Sequence, residues 1–404
     1  MNSISACLIV KNEEESLKDC LHSLTDIVDE IIIVDTGSTD RTKVIANEYG
    51  AIIIDAPWEY DFSKARNIAL QNASCEWILS IDADEQLMNP DQVLRTLNNV
   101  QTSTGGFLIS VQSFFERADG GKDVFTTNLL RLFRNRENIQ FEGIIHEQVL
   151  ESIFRSGYEV AYTTIHFLHT GYNLSPTSMV SKQERNLQLL SKALERKPND
   201  AYNLMQRGKT YMALGKNDEA EKDLTLSLKY VKNDSIVTPQ SLNYLGIVQF
   251  QRKAYIEAIE NAEKSLSILP KQGFAQFILG ECYTELQNYQ KALQAYLEFE
   301  KCSNNPDPLA SVAGEYTIPK EQIYFRIGRT CTMLRDYKKA EEIFKLGLTF
   351  NKKEAGCLVG LADIALKLGK KQLAIQFLEY ALKLYPLRED IQVFLQTAKS
   401  YTML

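Results

Sequence analysis

Long apolar runs are missing from the sequence. None approaches the roughly 18 residues that a helix needs to cross a bilayer, and the apolar stretch Ile4 to Val10 passes straight into Lys11-Asn12-Glu13-Glu14 with no basic leader before it. Neither a membrane span nor a signal peptide is expected. Cysteine is sparse: the 7 residues Cys7, Cys20, Cys75, Cys282, Cys302, Cys331 and Cys357 stand singly, without a Cys-x-x-Cys, in a 404-residue chain large enough to need no staples. They read as reduced thiols, mostly core filler, and point to a cytoplasmic protein. Blocks of one charge are missing too. The 45 Lys and Arg and 52 Asp and Glu leave a net charge of -7 spread along the chain, which argues against a nucleic-acid binder working by phosphate neutralisation. No Gly-x-x-x-x-Gly-Lys-Ser/Thr loop and no Gly-x-Gly-x-x-Gly fingerprint occurs, so neither a P-loop nor a dinucleotide turn is expected, and Gly120-Gly121-Lys122 lacks the spacing. What is present, 44% hydrophobic and 24% charged residues, fits a soluble globular chain too long for one core. Two domains are expected.

In the first part of the chain short apolar runs alternate with amphipathic stretches. Ile4 to Val10, Glu30 to Val34, Ala51 to Ile54 and Trp77 to Ile81 read as strands, and Glu14 to Leu24 and Thr39 to Tyr49 as helices. That order predicts an α/β fold with a mainly parallel sheet and helices on its faces. Ligands of such sheets collect at the carboxyl ends of the strands.

Beyond about residue 180 the strand signals stop and a period appears. Gly208-Ala220, Gly246-Ala258, Gly280-Ala292, Gly328-Ala340 and Ala362-Ala374 each put a small residue twelve places before an alanine, and their first members are 38, 34, 48 and 34 residues apart by subtraction. A period near 34 with Tyr211 and Tyr283 three places after the small residue, Tyr255, Tyr289 and Tyr337 three before the alanine, and Pro270 and Pro386 closing their units resembles the tetratricopeptide repeat. An all-α solenoid of about five repeats is expected, led by a half-repeat (Ser181 to Lys197, closed by Pro198) and capped by Arg388 to Lys399. The two long steps place insertions around Val231 to Thr238 and Ser303 to Pro319, where Asn304-Asn305-Pro306-Asp307-Pro308 ends any helix. The expected domains are residues 1–178 and 179–404.

The chemistry is concentrated in the first domain. Asp82-Ala83-Asp84-Glu85 follows an apolar strand, so two carboxylates emerge at its carboxyl end. A carboxylate pair completed by diphosphate oxygens suits a hard cation, Mg2+ or Mn2+. An isolated Asp-x-Asp is common in solvated loops, and its weight here comes from three companions: Val10-Lys11-Asn12-Glu13-Glu14 after the first strand, Val34-Asp35-Thr36-Gly37-Ser38-Thr39-Asp40 after the second, and Asp61-Phe62-Ser63-Lys64-Ala65-Arg66-Asn67 before the acid-bearing strand.

Together these segments resemble the family 2 glycosyltransferases of the GT-A fold, and the Asp-Phe-Ser-x-Ala-Arg-Asn form is similar to a subgroup with a tetratricopeptide tail. The resemblance covers about residues 1 to 175 for the catalytic fold, and the tail extends it over the whole chain. It implies a UDP-sugar donor and assigns roles residue by residue. Asp35 would accept from the uracil or ribose, with Thr36 standing where many relatives carry a second Asp; Asp40 is better explained as a helix cap. The loop Val10 to Glu13 would edge the nucleotide through backbone groups and Lys11, and Arg66 would be a fixed cation near base or diphosphate. Asp82 would meet ribose or metal, Asp84 would bind the metal, and His169 would be a further ligand. In Phe141 to Gln148, read as extended, Glu147 is the expected base, with His146 orienting it or touching the diphosphate; His166 is expected to be structural. With Glu147 as base of a single displacement, the anomeric centre inverts.

Three readings follow. The first is transfer of a sugar to Ser, Thr or Cys of a peptide or protein acceptor bound with help from the repeats. The second is construction of a cell-surface glycan or lipopolysaccharide, and the third a non-catalytic repeat scaffold, disfavoured because Asp35, Arg66, Asp82, Asp84 and Glu147 are all intact. The repeats could also form a homodimer.

Overall fold

The computed structural model describes residues 2–116, 122–170, 176–231, 235–304 and 318–400. Contacts divide the chain into two compact units, Met1–Tyr244 and Leu245–Leu404.

The first unit begins with β1 (Ile4–Val10), α1 (Leu17–His22), β2 (Glu30–Asp35), α2 (Thr42–Glu48), β3 (Ile52–Asp55), α3 (Phe62–Asn72) and β4 (Trp77–Ser80). Six of the seven β1 residues are buried, as expected of a central strand covered on both faces. It pairs in parallel with β2 on one side and β4 on the other, and β3 extends the parallel run beyond β2. Then come β5 (Glu85–Leu87), α4 (Pro90–Asn98), β6 (Thr104–Glu116), β7 (Lys122–Arg134), α5 (Leu150–Arg155) and β8 (Glu159–His169). The eight strands lie in the order β3-β2-β1-β4-β7-β6-β8-β5. Past β4 the pairing changes: β7 is antiparallel to both β4 and β6, β8 is parallel to β6, and β5 is antiparallel to β8. The mainly parallel arrangement therefore describes β3-β2-β1-β4, and the sheet as a whole is mixed. Its core gathers Leu8, Ile33, Trp77, Leu79, Phe107, Ile165 and Phe167. Val10 pairs with Asp35 and Cys7 with Ser80, so the chain leaves β1, β2 and β4 along one edge.

The helices begin with α6 (Pro176–Arg196), α7 (Ala201–Ala213) and α8 (Asn217–Tyr230), all within the first unit, and the division between units falls inside α9 (Val237–Gln251). The change from mixed to helical structure thus comes near the expected 178/179 boundary, whereas contacts keep three helices with the sheet. The second unit continues with α10 (Tyr255–Ile268), α11 (Gly273–Glu285), α12 (Tyr289–Asn304), α13 (Lys320–Met333), α14 (Tyr337–Phe350), α15 (Ala355–Lys367), α16 (Lys371–Leu384) and α17 (Glu389–Ser400). Of the expected insertions, 232–234 and 305–317 lie outside the described residues. Among the described residues no helix is long and apolar enough to cross a membrane.

The small-residue period has a steric cause. Ala220, Ala258, Ala292, Ala340 and Ala374 are completely buried, each near the start of the second helix of its pair. On the first helix, a Cβ at Gly208 would lie 2.8 Å from Leu224, one at Gly328 2.6 Å from the Phe344 ring, and one at Gly280 would strike the Tyr296 ring. Glycine is there to let the paired helix approach. A Gly328→Ala substitution is therefore expected to destabilise despite the roughly 0.5–1 kcal/mol that alanine gains in a helix, because overpacking costs about 1–3 kcal/mol. A lowered thermal midpoint is the expected result, and an unchanged or higher one would show that the Phe344 ring moves aside freely.

Candidate active site

Where the chain leaves β4, five charged side chains form one ionic network. Asp61 caps α3 by accepting the Lys64 N–H at 3.1 Å, and the inward stripe Ala65, Arg66, Ala69 aims Arg66 beneath the strand ends. Arg66 is 8% exposed. Its Nη2 donates to Asp82 Oδ1 at 2.7 Å, its Nε to Glu147 Oε1 at 2.5 Å and its Nη1 to Ser80 Oγ at 3.2 Å. Arg131, on β7, donates through Nη2 to Asp82 Oδ2 at 2.5 Å and to Glu85 Oε1 at 2.9 Å. Burial would push the Asp82 carboxyl up, but Arg131 and Arg66 override it and hold the group well below the usual carboxylate range. For Glu85 burial dominates, and its carboxyl is raised although Arg131 opposes the shift. Asp82, assigned from sequence to ribose or metal, has both oxygens in guanidinium pairs.

Asp84 faces the other way. Its Oδ2 lies 2.9 Å from His169 Nε2, and His169 Nδ1 lies 3.1 Å from Ser113 Oγ. Pairing of Glu85 with His169 across β5 and β8, and the bond from the Thr170 N–H to the Asp84 carbonyl, bring the two side chains together. Burial pulls the imidazole down, but the hydrogen bond with Asp84 and the charges of Asp84, Glu85 and Asp82 raise it above its ordinary value. Glu13 belongs to the same field: burial, with Asp84, Asp82 and Asp40 nearby, raises its carboxyl against a lowering bond from Ser16. Two ligand atoms in adjacent positions around an ion with bonds of about 2.1 Å stand roughly 3 Å apart, so the Asp84–His169 separation fits such an ion. The Ser113 contact gives the ring the outer partner that metal-binding histidines usually have. Among the described residues no three His, Cys, Asp or Glu side chains are grouped to hold a metal. The protein's share would be two ligands, with water or phosphate oxygens supplying the rest.

Asp35, at the end of β2, is 1% exposed. Oδ1 accepts the N–H groups of Gly37 at 2.9 Å and Ser38 at 2.8 Å, which uses the left-handed backbone of Gly37 (φ +108°). Among the described residues Oδ2 is buried with no partner. The two oxygens therefore differ: one closes the turn, the other is left as an acceptor for a ligand. Burial pushes this carboxyl up, while the bonds from Ser38 and Gly37 and the charge of Lys43 bring it below the usual range.

The first strand-end loop is laced to the second. Val10 is buried and its carbonyl accepts both the N–H and the Oγ1–H of Thr36 at 3.0 Å; Ser38 Oγ accepts the Asn12 N–H at 2.9 Å, and Thr42 Oγ1 accepts the Glu13 N–H at 2.7 Å. Val10 thus supports the loop with its carbonyl already used, and Lys11 is exposed. Asp40 accepts the Thr42 N–H at 3.0 Å in the first turn of α2, from one residue before the cap position Arg41.

The segment from Phe141 to Gln148 is not extended. Glu142 and Gln148 exchange backbone hydrogen bonds at 2.9 Å, and the chain between them reverses through positive φ at Gly143 (98°) and His146 (55°). This turn brings the Glu147 carboxylate, only 10% exposed, to Arg66. His166 and His169 lie three residues apart on β8 and so on opposite sides of the strand. Sequence reasoning did not identify Arg131 or Glu85 as part of the site. The available signal was a lone arginine inside the apolar run Leu129-Leu130-Arg131-Leu132-Phe133.

Residues 5–157 match the family model for glycosyl transferase family 2. Tetratricopeptide-repeat models match 201–232, 252–306, 321–354 and 355–386. A TPR repeat-containing protein of Synechococcus elongatus is 32% identical over 66% of this chain and 66% of its own length. The prophage-derived glycosyltransferase SunS of Bacillus subtilis is 28% identical over 63% of this chain and 60% of its own, and an uncharacterised glycosyltransferase of Rickettsia felis is 42% identical over 22% of this chain and 30% of its own. The chain spans 66%, 60% and 30% of the lengths of these three relatives.

Proposed function

We propose that this chain, whose residues 5–157 belong to glycosyl transferase family 2 and are followed by tetratricopeptide repeats, moves a sugar from a UDP-sugar to a Ser, Thr or Cys side chain of a peptide or protein. The observation that carries the reading is the 2.9 Å pair of Asp84 Oδ2 and His169 Nε2 in a field of carboxylates at the strand ends. These two side chains would hold Mn2+ or Mg2+, which when bound offsets the negative charge left on the departing diphosphate. The unpartnered Asp35 Oδ2 supports nucleotide binding, because an N–H of the base or an O–H of the ribose would satisfy it. Arg66 fixes Glu147 through Oε1 and Asp82 through Oδ1.

The reaction is a single displacement. The acceptor oxygen or sulfur bonds to the anomeric carbon as the bond from that carbon to the diphosphate oxygen breaks, the electron pair leaves with UDP, and the acceptor proton goes to Glu147. The repeats support the acceptor half of the reading, since a stack of helix pairs presents an extended surface suited to a peptide chain.

The test is full-length protein with UDP-glucose or UDP-N-acetylglucosamine, Mn2+ or Mg2+ and candidate peptides, read by UDP release and intact mass. Metal-dependent UDP release and a mass increase of one sugar are expected. Equal turnover in EDTA would remove the metal from the reading, and no UDP from any donor would overturn it.

A further inference from the structure

We propose that Tyr202, on α7, the first helix of the first matched repeat, is a positioning residue for the loop that presents Glu147, so that this helix is a working part of the transferase site. The inference rests on the functional reading above for what the loop does, but not for how the loop is held. Loop 142–148 contains two left-handed residues, and the one at His146, which has a Cβ, is a conformation of order 1–3 kcal/mol that persists only where the surroundings impose it. Helix α3 supplies part of that constraint. Asn67 brackets Phe141, donating to its carbonyl at 2.9 Å and accepting its N–H at 2.8 Å, and the Phe62 N–H donates to the Ile144 carbonyl at 2.9 Å.

The other part comes from α6 and α7. The Tyr202 hydroxyl donates to the His146 carbonyl and accepts from Gln206 Nε2, one turn further along α7, at 2.9 Å. The Tyr202 ring occupies the space a Cβ at Gly143 would need, 2.8 Å from that position. Ile145, between the two left-handed residues, packs with Leu189 and Leu190 of α6 and with Phe62. The His146 carbonyl matters because it shares one rigid peptide plane with the Glu147 nitrogen. Holding that oxygen sets the direction in which Glu147 leaves the backbone, and hence the approach of its carboxylate to Arg66 and the acceptor.

Tyr202→Phe in the full-length protein removes the hydroxyl and keeps the ring against Gly143. One hydrogen bond of about 1–1.5 kcal/mol, expressed in the transition state, corresponds to roughly a tenfold fall in kcat. The expected result is that fall with donor KM unchanged and the melting temperature lowered by no more than a few degrees, together with faster amide hydrogen exchange over residues 143–148. Gln206→Leu, which removes the donor to the hydroxyl, is expected to move both readouts the same way by less. Wild-type exchange in Tyr202→Phe, or wild-type kcat despite faster exchange, would overturn the proposal. If the wild-type protein released no UDP, the functional reading would fall alone, and exchange would still decide whether Tyr202 holds the loop.

Discussion

Replacing Arg66 with methionine is expected to destabilise the protein by about 3–5 kcal/mol, the usual cost of removing one partner of a buried ion pair. Methionine fills most of the same length, so the loss is electrostatic, not one of volume. Glu147, 10% exposed, would lose its guanidinium partner, and Asp82 would keep that of Arg131. Arg66→Lys keeps the charge, but a point-like ammonium cannot span Asp82, Glu147 and Ser80 at once, and it should fall between wild type and methionine. The pH dependence gives the sign. Asp82 has a folded-state pKa held below the ordinary value, so its contribution is fully present above the unfolded pKa near 4 and is lost as pH falls through the folded one. Removing Arg66 moves the folded pKa back up. The gap between wild type and variant should therefore be constant at neutral pH and begin to narrow below about pH 4, where the variant's Asp82 protonates first. Denaturant melts from pH 7 downwards measure it. A gap of less than 1 kcal/mol at pH 7, or one that widens in acid, would contradict this account of the network.

The strand-end acids were legible in the sequence because each sits where a largely apolar run stops: Val34 before Asp35, and Ile81 before Asp82. In a parallel sheet such a stop is the carboxyl edge, so position followed from local pattern alone. The repeats were legible for a similar reason, since glycine and alanine twelve apart recur wherever two helices must touch. The thirteen-residue strands β6 and β7 were not foreseen. Phe107-Leu108-Ile109 and Leu129-Leu130 break the alternation that marks a strand, and the pairing of both strands is set by partners far away in sequence. Arg131 was hidden with them: its role depends on β7 lying beside β4, which no local period reports. The turn at His146 was hidden more deeply, because its φ of 55° is imposed from outside, by Asn67 on α3 and Tyr202 on α7. For the same reason a cut at 178/179, natural on a reading of secondary structure, would remove Tyr202, Leu189 and Leu190 from the loop that carries Glu147.

Asp84→Ala is expected to reduce metal-dependent UDP release by about a hundredfold or more while leaving the melting temperature within a few degrees of wild type. The two expectations belong together because of how Asp84 is held. Its main chain is fixed independently of its carboxylate: the carbonyl accepts the Thr170 N–H at 2.9 Å, and the side chain's hydrogen bond is to His169. Truncation therefore removes a third-exposed charge from a crowded acidic field without opening a cavity, and stability should change little. The chemistry should change much, since charge stabilisation of a leaving diphosphate by a bound cation is worth several kcal/mol and a factor of a hundred is about 2.7 kcal/mol. His169→Gln separates a ligand pair from a structural one. If both side chains hold the ion, His169→Gln should need more Mn2+ for half-maximal UDP release, Asp84→Ala should not be rescued at any accessible Mn2+, and Mn2+ binding followed by electron paramagnetic resonance in the presence of UDP should weaken in both. If the pair only braces β5 against β8, both variants should melt earlier, bind Mn2+ like wild type and keep the same metal curve, and that result would remove the ion from Asp84 and His169.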